Sequence, residues 1–267
     1  MACTPRFGRL GAWLAVVLLV SLAGCAADDA PEAITNATFW LWRNYDTATD
    51  ERLAEAIIAL NGSVTPVSAD EPMKVLIGGL NSADVKLVGR TDVDASQAVG
   101  MLVVTEFACK LSQIEKIHTA AEQDSLHPGS YKAYKRTFVG SRDDFLAGKV
   151  GKLDWNTELT SDYATESLAG SARHVPDFGK EKSPFGAALV SRTFLTKPAS
   201  GTEWPQDYQI EAYYERKPGR MVHMFAVWRQ ATFSGLSSDS SILQKIQMNG
   251  FVDWDKAIET ACKSGKY

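Results

Sequence analysis

The feature that most constrains the fold of this chain is a long β-hairpin predicted between residues 208 and 233. Two β-prone runs, 208–216 and 221–233, flank the segment Lys217-Pro218-Gly219-Arg220. Pro-Gly at the centre favours a tight type II turn, because proline presets its own φ and glycine accepts the positive φ that follows. The chain therefore contains an antiparallel sheet.

A tight turn at this position also predicts which residues face each other across the hairpin. It places Tyr214 opposite His223, Ala212 opposite Phe225, and Ile210 opposite Val227. This mostly apolar face is expected to point inward. The reverse face is expected to be partly wet, because it carries Gln209, Glu211 and Glu215 beside Val222, Met224 and Trp228.

Other segments show either strand or helix periodicity. Strict alternation over 153–163 predicts a half-buried strand, with Trp155 and Tyr163 on its apolar side. Further strands are predicted at 99–108, 131–139 and 186–195, whereas 165–185 is interpreted as connecting chain. Helices are predicted at 50–60, from Ser112, at 142–147, and at 242–248 and 251–262 with a break at Asn249-Gly250.

The order of these elements indicates an α+β fold, because no strand–helix–strand alternation typical of a parallel sheet occurs. From residue 99 the order resembles the helix-grip fold of START-like lipid-transfer and cyclase proteins. That resemblance covers about residues 99 to 264 and rests on element order, not on a motif. It implies a curved antiparallel sheet packed on a C-terminal helix, with an apolar cavity between them. The N-terminal helical segment that is predicted before them is extra to that fold.

The N-terminus has the pattern of an export signal. Arg6 and Arg9 precede an apolar run, 10–20, that is too short to span a bilayer, for which about 20 residues are needed. Leu22-Ala23-Gly24-Cys25 resembles the lipobox of bacterial lipoproteins, which implies cleavage before Cys25 and lipidation of its thiol. The alternative is an ordinary secretory signal. Ala26, at the second mature position, favours the outer membrane by analogy with known sorting.

These features divide the chain into four segments. A signal peptide spans 1–24, the lipidated Cys25 begins a flexible tether that ends at 38, an N-terminal helical and loop extension spans 39–98, and the START-like domain spans 99–267. The aromatic cluster Phe39-Trp40-Leu41-Trp42 either docks on the domain or lies at a membrane interface.

The cysteines and the charge restrict the partners. With Cys3 in the signal and Cys25 lipidated, Cys109 and Cys262 remain, and export favours a disulfide between them over two separate thiols. The net charge is −4 and no basic run occurs, which argues against nucleic acid. No nucleotide, zinc or calcium motif is present, so no cofactor and no metal are expected.

Candidate functional residues come from the inward faces. His223 lies in a strand between Met221 and Phe225, where a histidine either acts in proton transfer or is a satisfied core residue. The rings of Trp155, Tyr163, Tyr214 and Phe225, with His223, either line a ligand cavity or fill the core.

Three functions are compatible with these patterns. The first is a lipid-anchored envelope protein that binds an apolar or amphipathic small molecule without chemistry. The second is an envelope hydrolase or cyclase that uses His223. The third is a structural lipoprotein that contacts other proteins, for instance through an exposed patch around Trp40 and Trp42.

Overall fold

A computed structural model describes residues 28–29, 32–64, 67–68, 70–127, 131–162, 164–181, 184–199 and 203–267. The predicted signal and Cys25 lie outside these residues, as does Tyr163. Within the described part of the chain, no helix combines the length and the apolar character needed to cross a bilayer.

The described chain forms ten strands and six α-helices. The strands are β1 (Asp28–Asp29), β2 (Met73–Ile77), β3 (Val99–Ala108), β4 (Ala133–Val139), β5 (Lys152–Thr160), β6 (Thr165–Val175), β7 (Ala188–Leu195), β8 (Glu203–Lys217), β9 (Arg220–Phe233) and β10 (Leu236–Ser237). The helices are α1 (Glu32–Asn44), α2 (Asp50–Ser63), α3 (Ser82–Lys86), α4 (Leu111–His118), α5 (Arg142–Leu146) and α6 (Ser241–Lys263).

All strands belong to one sheet in the order β1-β2-β3-β9-β8-β7-β6-β5-β4, and β10 pairs with β9. Every pairing is antiparallel except that between the two-residue β1 and β2. The expected fold class is confirmed: an α+β domain with a curved antiparallel sheet packed on the C-terminal helix α6.

The sheet is covered on both faces. On one face α1 and α2 bury Leu41, Trp42 and Ile57 against the apolar residues Tyr208, Ile210, Ala212, Val222, Met224 and Trp228. On the other face, α6 packs its buried stripe over β3 and β9, as in the contacts of Met248 and Val252 with Met101 and Val103. Trp42 is fully buried, so the aromatic cluster docks on the domain.

The extension 39–98 adds a strand to the same sheet as well as helices to its face. Its predicted helix is present as α2, which Thr49 caps by accepting a hydrogen bond from the amide of Arg52. The predicted tether 25–38 is too long, because α1 already begins at Glu32. Ile34 and Thr38 lie on the buried side of α1, one helical turn apart, and packing there orders the segment.

Two further expectations are wrong. Residues 165–175 form strand β6, whose alternating small residues pair with both β5 and β7. The C-terminal helix is unbroken at Asn249-Gly250. Glycine inside a helix costs about 1 kcal/mol, and packing of the flanking Met248 and Val252 on the sheet offsets this.

The predicted disulfide is present. Cys109 at the end of β3 is bonded to Cys262 in the last turn of α6, with the two Cα atoms 5.5 Å apart. The bond fixes the C-terminal end of α6 to the sheet edge where β3 ends.

Candidate functional site: a charged interior and an end cavity

The hairpin register differs from the expected one by one residue. Tyr213, and not Tyr214, lies opposite His223, while Tyr214 lies opposite Val222. The ladder shifts between Glu215 and Lys217, so Arg216 is an extra residue on one strand, as in a β-bulge. Because side chains alternate along a strand, this slip moves Tyr213 and Glu211 to the α6 face.

Glu211 and His223 meet Asp255 of α6 in the interior. The ring of His223 donates from Nδ1 to Asp255 Oδ1 over 2.7 Å and from Nε2 to Glu211 Oε2 over 3.2 Å. The hydroxyl of Tyr213 donates to the same Glu211 oxygen over 2.8 Å, and Thr105 Oγ1 donates to Asp255 Oδ2 over 2.6 Å. The Tyr213 ring stacks on His223 with centroids 4.0 Å apart.

The charged groups of this cluster shift the pKa values of His223 and Glu211 and so determine their protonation states. Burial alone would lower the pKa of His223, but Asp255 and Glu211 outweigh it and raise that pKa to about 9. Burial alone would raise the pKa of Glu211, but His118 and His223 oppose it and lower that pKa to about 2. At neutral pH His223 is therefore an imidazolium between two carboxylates.

Among the residues that the structure describes, the cluster around His223 is enclosed by protein. His223 is only 1% exposed. The gap lined by Ile117, His118, Tyr213 and Trp254 leaves no room for a water molecule. The START-like resemblance implies an apolar cavity between sheet and helix, but at this position the space is filled and partly charged.

The other candidate residues that the structure describes, Phe225, Trp155 and Tyr214, are also packed into the protein. Phe225 contacts Phe251 and Trp254 of α6, with ring centroids 4.5 and 5.6 Å apart. Trp155 is 1% exposed and lies against Gly170, where a Cβ atom would come within 2.4 Å of the indole nitrogen. Tyr214 was expected on the inward face with His223, but it points to the α1/α2 face and donates to Asn61 Oδ1 over 3.1 Å.

Sequence reasoning missed Asp255 and placed Glu211 on the wet face. A signal for Asp255 exists, because it stands between Val252 and Ile258 in the buried stripe of α6. A carboxylate at such a position needs a buried partner, and His223 was the one strand histidine expected to point inward.

Open space lies farther along, where the N-terminal part of α6 meets the ends of β8 and β9. We call this the end cavity. Its volume is about 300 Å³, which lies at the lower end of the range for ligand pockets. Its apolar walls are formed by Tyr131, Trp204, Ala231, Phe233, Leu243 and Ile246, and its polar walls by Ser161, Glu166, Arg229, Thr232 and Gln247.

The rim of the end cavity is apolar and exposed. Phe233 is 38% exposed and Ile246 is 57% exposed, and Ile242 lies one helical turn before Ile246 with 45% exposure. Large exposed apolar residues gathered at a cavity mouth mark a binding site more often than single ones scattered over a surface.

The floor of the end cavity carries charges. Arg229 forms an ion pair through Nε with Asp207, and its guanidinium lies 4.6 Å from the centre of the Trp204 ring. Glu166 is 4% exposed. Burial, with Asp207 adding to it and Arg229 opposing, raises the pKa of Glu166 to about 7.

A second depression of about 380 Å³ lies beside the hairpin turn. Glu215, Arg216 and Lys217 form part of its wall, and the Glu215 carboxylate already accepts from the amides of Leu111 and Gly219 over 2.8 and 2.7 Å. The Glu215 carboxylate is thus engaged within the protein. Among the described residues, no three side chains gather as metal ligands.

No known protein family and no curated protein matches the sequence. Solved structures are similar in shape. Human STARD10 is 9% identical, with 92% of this chain and 85% of that chain covered and a TM-score of 0.48. A STAR-related lipid transfer protein from Xanthomonas axonopodis is 9% identical, with 75% and 97% covered and a TM-score of 0.45.

A START superfamily protein from Mycobacterium smegmatis is 12% identical, with 62% of this chain and 97% of that chain covered and a TM-score of 0.38. At such low identity the likeness concerns the fold, and what this chain binds does not follow from it.

Proposed function

We propose that this protein is a lipid-anchored protein of the bacterial cell envelope that binds an apolar or amphipathic small molecule in the end cavity. The observation that carries the binding function is the cavity itself, with Trp204, Leu243 and Ile246 in its walls and an exposed apolar rim. The ligand lies between α6 and the sheet ends, and the charged cluster around His223 stays outside the binding site.

Two observations support the envelope location. The lipobox-like sequence ends at Cys25, and the disulfide between Cys109 and Cys262 fits an oxidising compartment. Asp28 pairs with Val75 of β2, so three residue steps, at most about 11 Å, separate the anchored cysteine from the sheet. The domain is then held close to the membrane surface, on the periplasmic side of the outer membrane.

Binding is tested on the mature protein purified from the envelope. Native mass spectrometry with solvent extraction should reveal a copurifying apolar molecule, and the protein should bind the fluorescent probe N-phenyl-1-naphthylamine. Ala231→Leu, which adds bulk inside the end cavity, should weaken probe binding by about tenfold or more, since a side chain of that size competes for the same space.

Ala83→Leu is the matched control, because Ala83 is exposed on α3 and does not line the end cavity. It should leave probe binding unchanged. A clean protein that binds no probe, or equal loss in both variants, would contradict the proposal and favour a structural lipoprotein.

The anchor is tested separately by incorporation of labelled palmitate. Wild-type protein should carry the label and sediment with membranes, and Cys25→Ser should lose both properties. Release of an unlabelled wild-type protein into the periplasm would indicate an ordinary secretory signal.

A further inference from the structure

Three side chains that line the end cavity, those of Trp204, Gln247 and Glu166, carry polar groups that the described residues do not satisfy. The indole nitrogen of Trp204 and the Oε1 atom of Gln247 are buried without a hydrogen-bond partner. The Glu166 carboxyl, also nearly buried, makes no hydrogen bond or ion pair with any described residue. Because buried polar groups are almost always hydrogen-bonded, a donor and two acceptors facing one cavity indicate a polar group on the ligand.

The charges around the cavity decide which polar group fits. Arg229 could attract an anion, but Asp207 already neutralises it, and Gln209 bonds the other oxygen of Asp207 over 2.8 Å. Glu166 adds a carboxyl to this neutral pair. An anionic headgroup would therefore face two carboxyl groups and a guanidinium whose charge Asp207 already balances through Nε.

We propose that the end cavity selects an amphipathic molecule whose polar group donates a hydrogen bond, such as an alcohol or an amine, and discriminates against carboxylates and phosphates. Gln247 Oε1 and Glu166 accept from this group, and the Trp204 indole N–H donates to it where it has a lone pair. The inference rests on the proposed binding function and narrows its ligand class.

The test uses four competitors of equal chain length: decanol, decylamine, decanoate and decyl phosphate. Each displaces N-phenyl-1-naphthylamine from the wild-type protein at neutral pH. Decanol and decylamine should displace the probe at concentrations at least about tenfold lower than the two anions, which corresponds to about one well-made hydrogen bond. Decanoate that competes as well as decanol would overturn the inference.

Glu166→Gln removes the carboxyl and keeps its shape. This variant should raise the affinity for decanoate by about fivefold or more and leave decanol within about twofold, since it removes a like charge. Glu158→Gln makes the same change at an exposed position on β5 and should alter neither the affinity for decanoate nor that for decanol. An unchanged preference in Glu166→Gln would contradict the role of Glu166.

A measurement on the wild-type protein covers the case in which that variant does not fold. Raising the pH from about 6 to about 8.5 ionises Glu166, whose pKa is about 7. Decylamine should then bind more tightly and decanoate more weakly, while decanol changes little. If the probe binds but all four competitors act alike, the headgroup inference fails and the proposed binding function stands; if no probe binds, both fail.

Discussion

The two faces of the sheet are buried in different ways. The face under α1 and α2 is mostly apolar, with Ile210, Val222 and Met224 packed against helix residues. Its buried cation, Arg192, pairs with Asp46, which is 44% exposed, and so reaches the solvent-exposed border of this face. The face under α6 buries an imidazolium, His223, between the carboxylates of Glu211 and Asp255. The first face is stabilised by removing apolar area from water. This contribution depends only weakly on the exact geometry of the contacts.

The second face depends on matched partners. A buried ion pair adds little net stability because desolvation opposes it, yet removing one partner leaves an uncompensated charge. The Asp255 contacts also fix where α6 lies on β3 and β9, since Thr105 and His223 bind its two oxygens. We therefore expect the α6 face to be the more sensitive of the two to single polar changes and to pH.

Asp255→Ala should have the largest effect, lowering the free energy of unfolding by about 3–5 kcal/mol, because it leaves the His223 charge without its closest partner. Urea denaturation at neutral pH measures this. Asp253→Ala, on the exposed side of the same helix, should change it by less than about 0.5 kcal/mol. Similar small losses in both variants would mean that the cluster is not important for stability.

The pH dependence of stability should come from the α6 face. Since the pKa of His223 is about 9 in the folded protein and about 6.5 when unfolded, its contribution is complete below pH 6.5 and lost as the pH rises towards 9. This loss amounts to at most about 3 kcal/mol. On the acid side, Glu211 has a pKa of about 2, so its contribution is present above about pH 4.5 and lost as the pH falls.

Burial lowers the pKa of His118 to about 4, so stability also falls as the pH drops below 6.5. Urea midpoints should therefore peak near pH 6.5. Leu41→Ala, on the apolar face, should cost about 2–5 kcal/mol and shift the whole curve down without moving its maximum. A flat profile in the wild-type protein would remove the distinction between the two faces.

Thr105→Val should have a smaller effect, because it removes one hydrogen bond to Asp255 and keeps the side-chain shape. We expect a loss of about 1–2 kcal/mol, since the carboxylate oxygen is left unsatisfied. Thermal unfolding provides the measurement, with Thr260→Val on the exposed surface of α6 as the comparison. A gain in stability would show that Asp255 does not need this donor.

Gly250→Ala should give the smallest change and in the opposite direction. An added Cβ at Gly250 meets no atom within 4 Å, so the helix should become about 0.5–1 kcal/mol more stable. The thermal midpoint should rise by a few degrees. A decrease would indicate that α6 needs a bend at Asn249-Gly250, as its sequence first indicated.

Much of the sheet could be predicted from local patterns, because β3, β5 and the β8–β9 hairpin alternate clearly. Strand β6 could not be predicted in this way, since its alanines and Ser171 do not favour a strand by themselves. They form one because β6 pairs with β5 on one side and β7 on the other. The cluster around His223 was half predictable. Its histidine was placed inward, but a single extra residue at Arg216 reversed the faces of Glu211 and Tyr214.

The end cavity could not be predicted from the sequence either, because it depends on how separate elements pack together. Its walls come from α6, β6, β8 and β9, and Trp204, Glu166 and Ile246 carry no shared local pattern. The predicted ligand residues were the large rings at strand centres, where side chains from both layers meet and fill space. Space remained instead at the ends of the strands.

The disulfide also determines how the protein would respond to mechanical force. Cys109 and Cys262 are 153 residues apart, so a pull between an N-terminal anchor and the C-terminus passes through the bond and bypasses the enclosed chain. At about 3.4 Å per residue, roughly 520 Å of contour length is removed from the load path. Strands β4 to β9 would stay folded under tension that detaches the N-terminal helices, and a reducing agent would release that length in a single added extension.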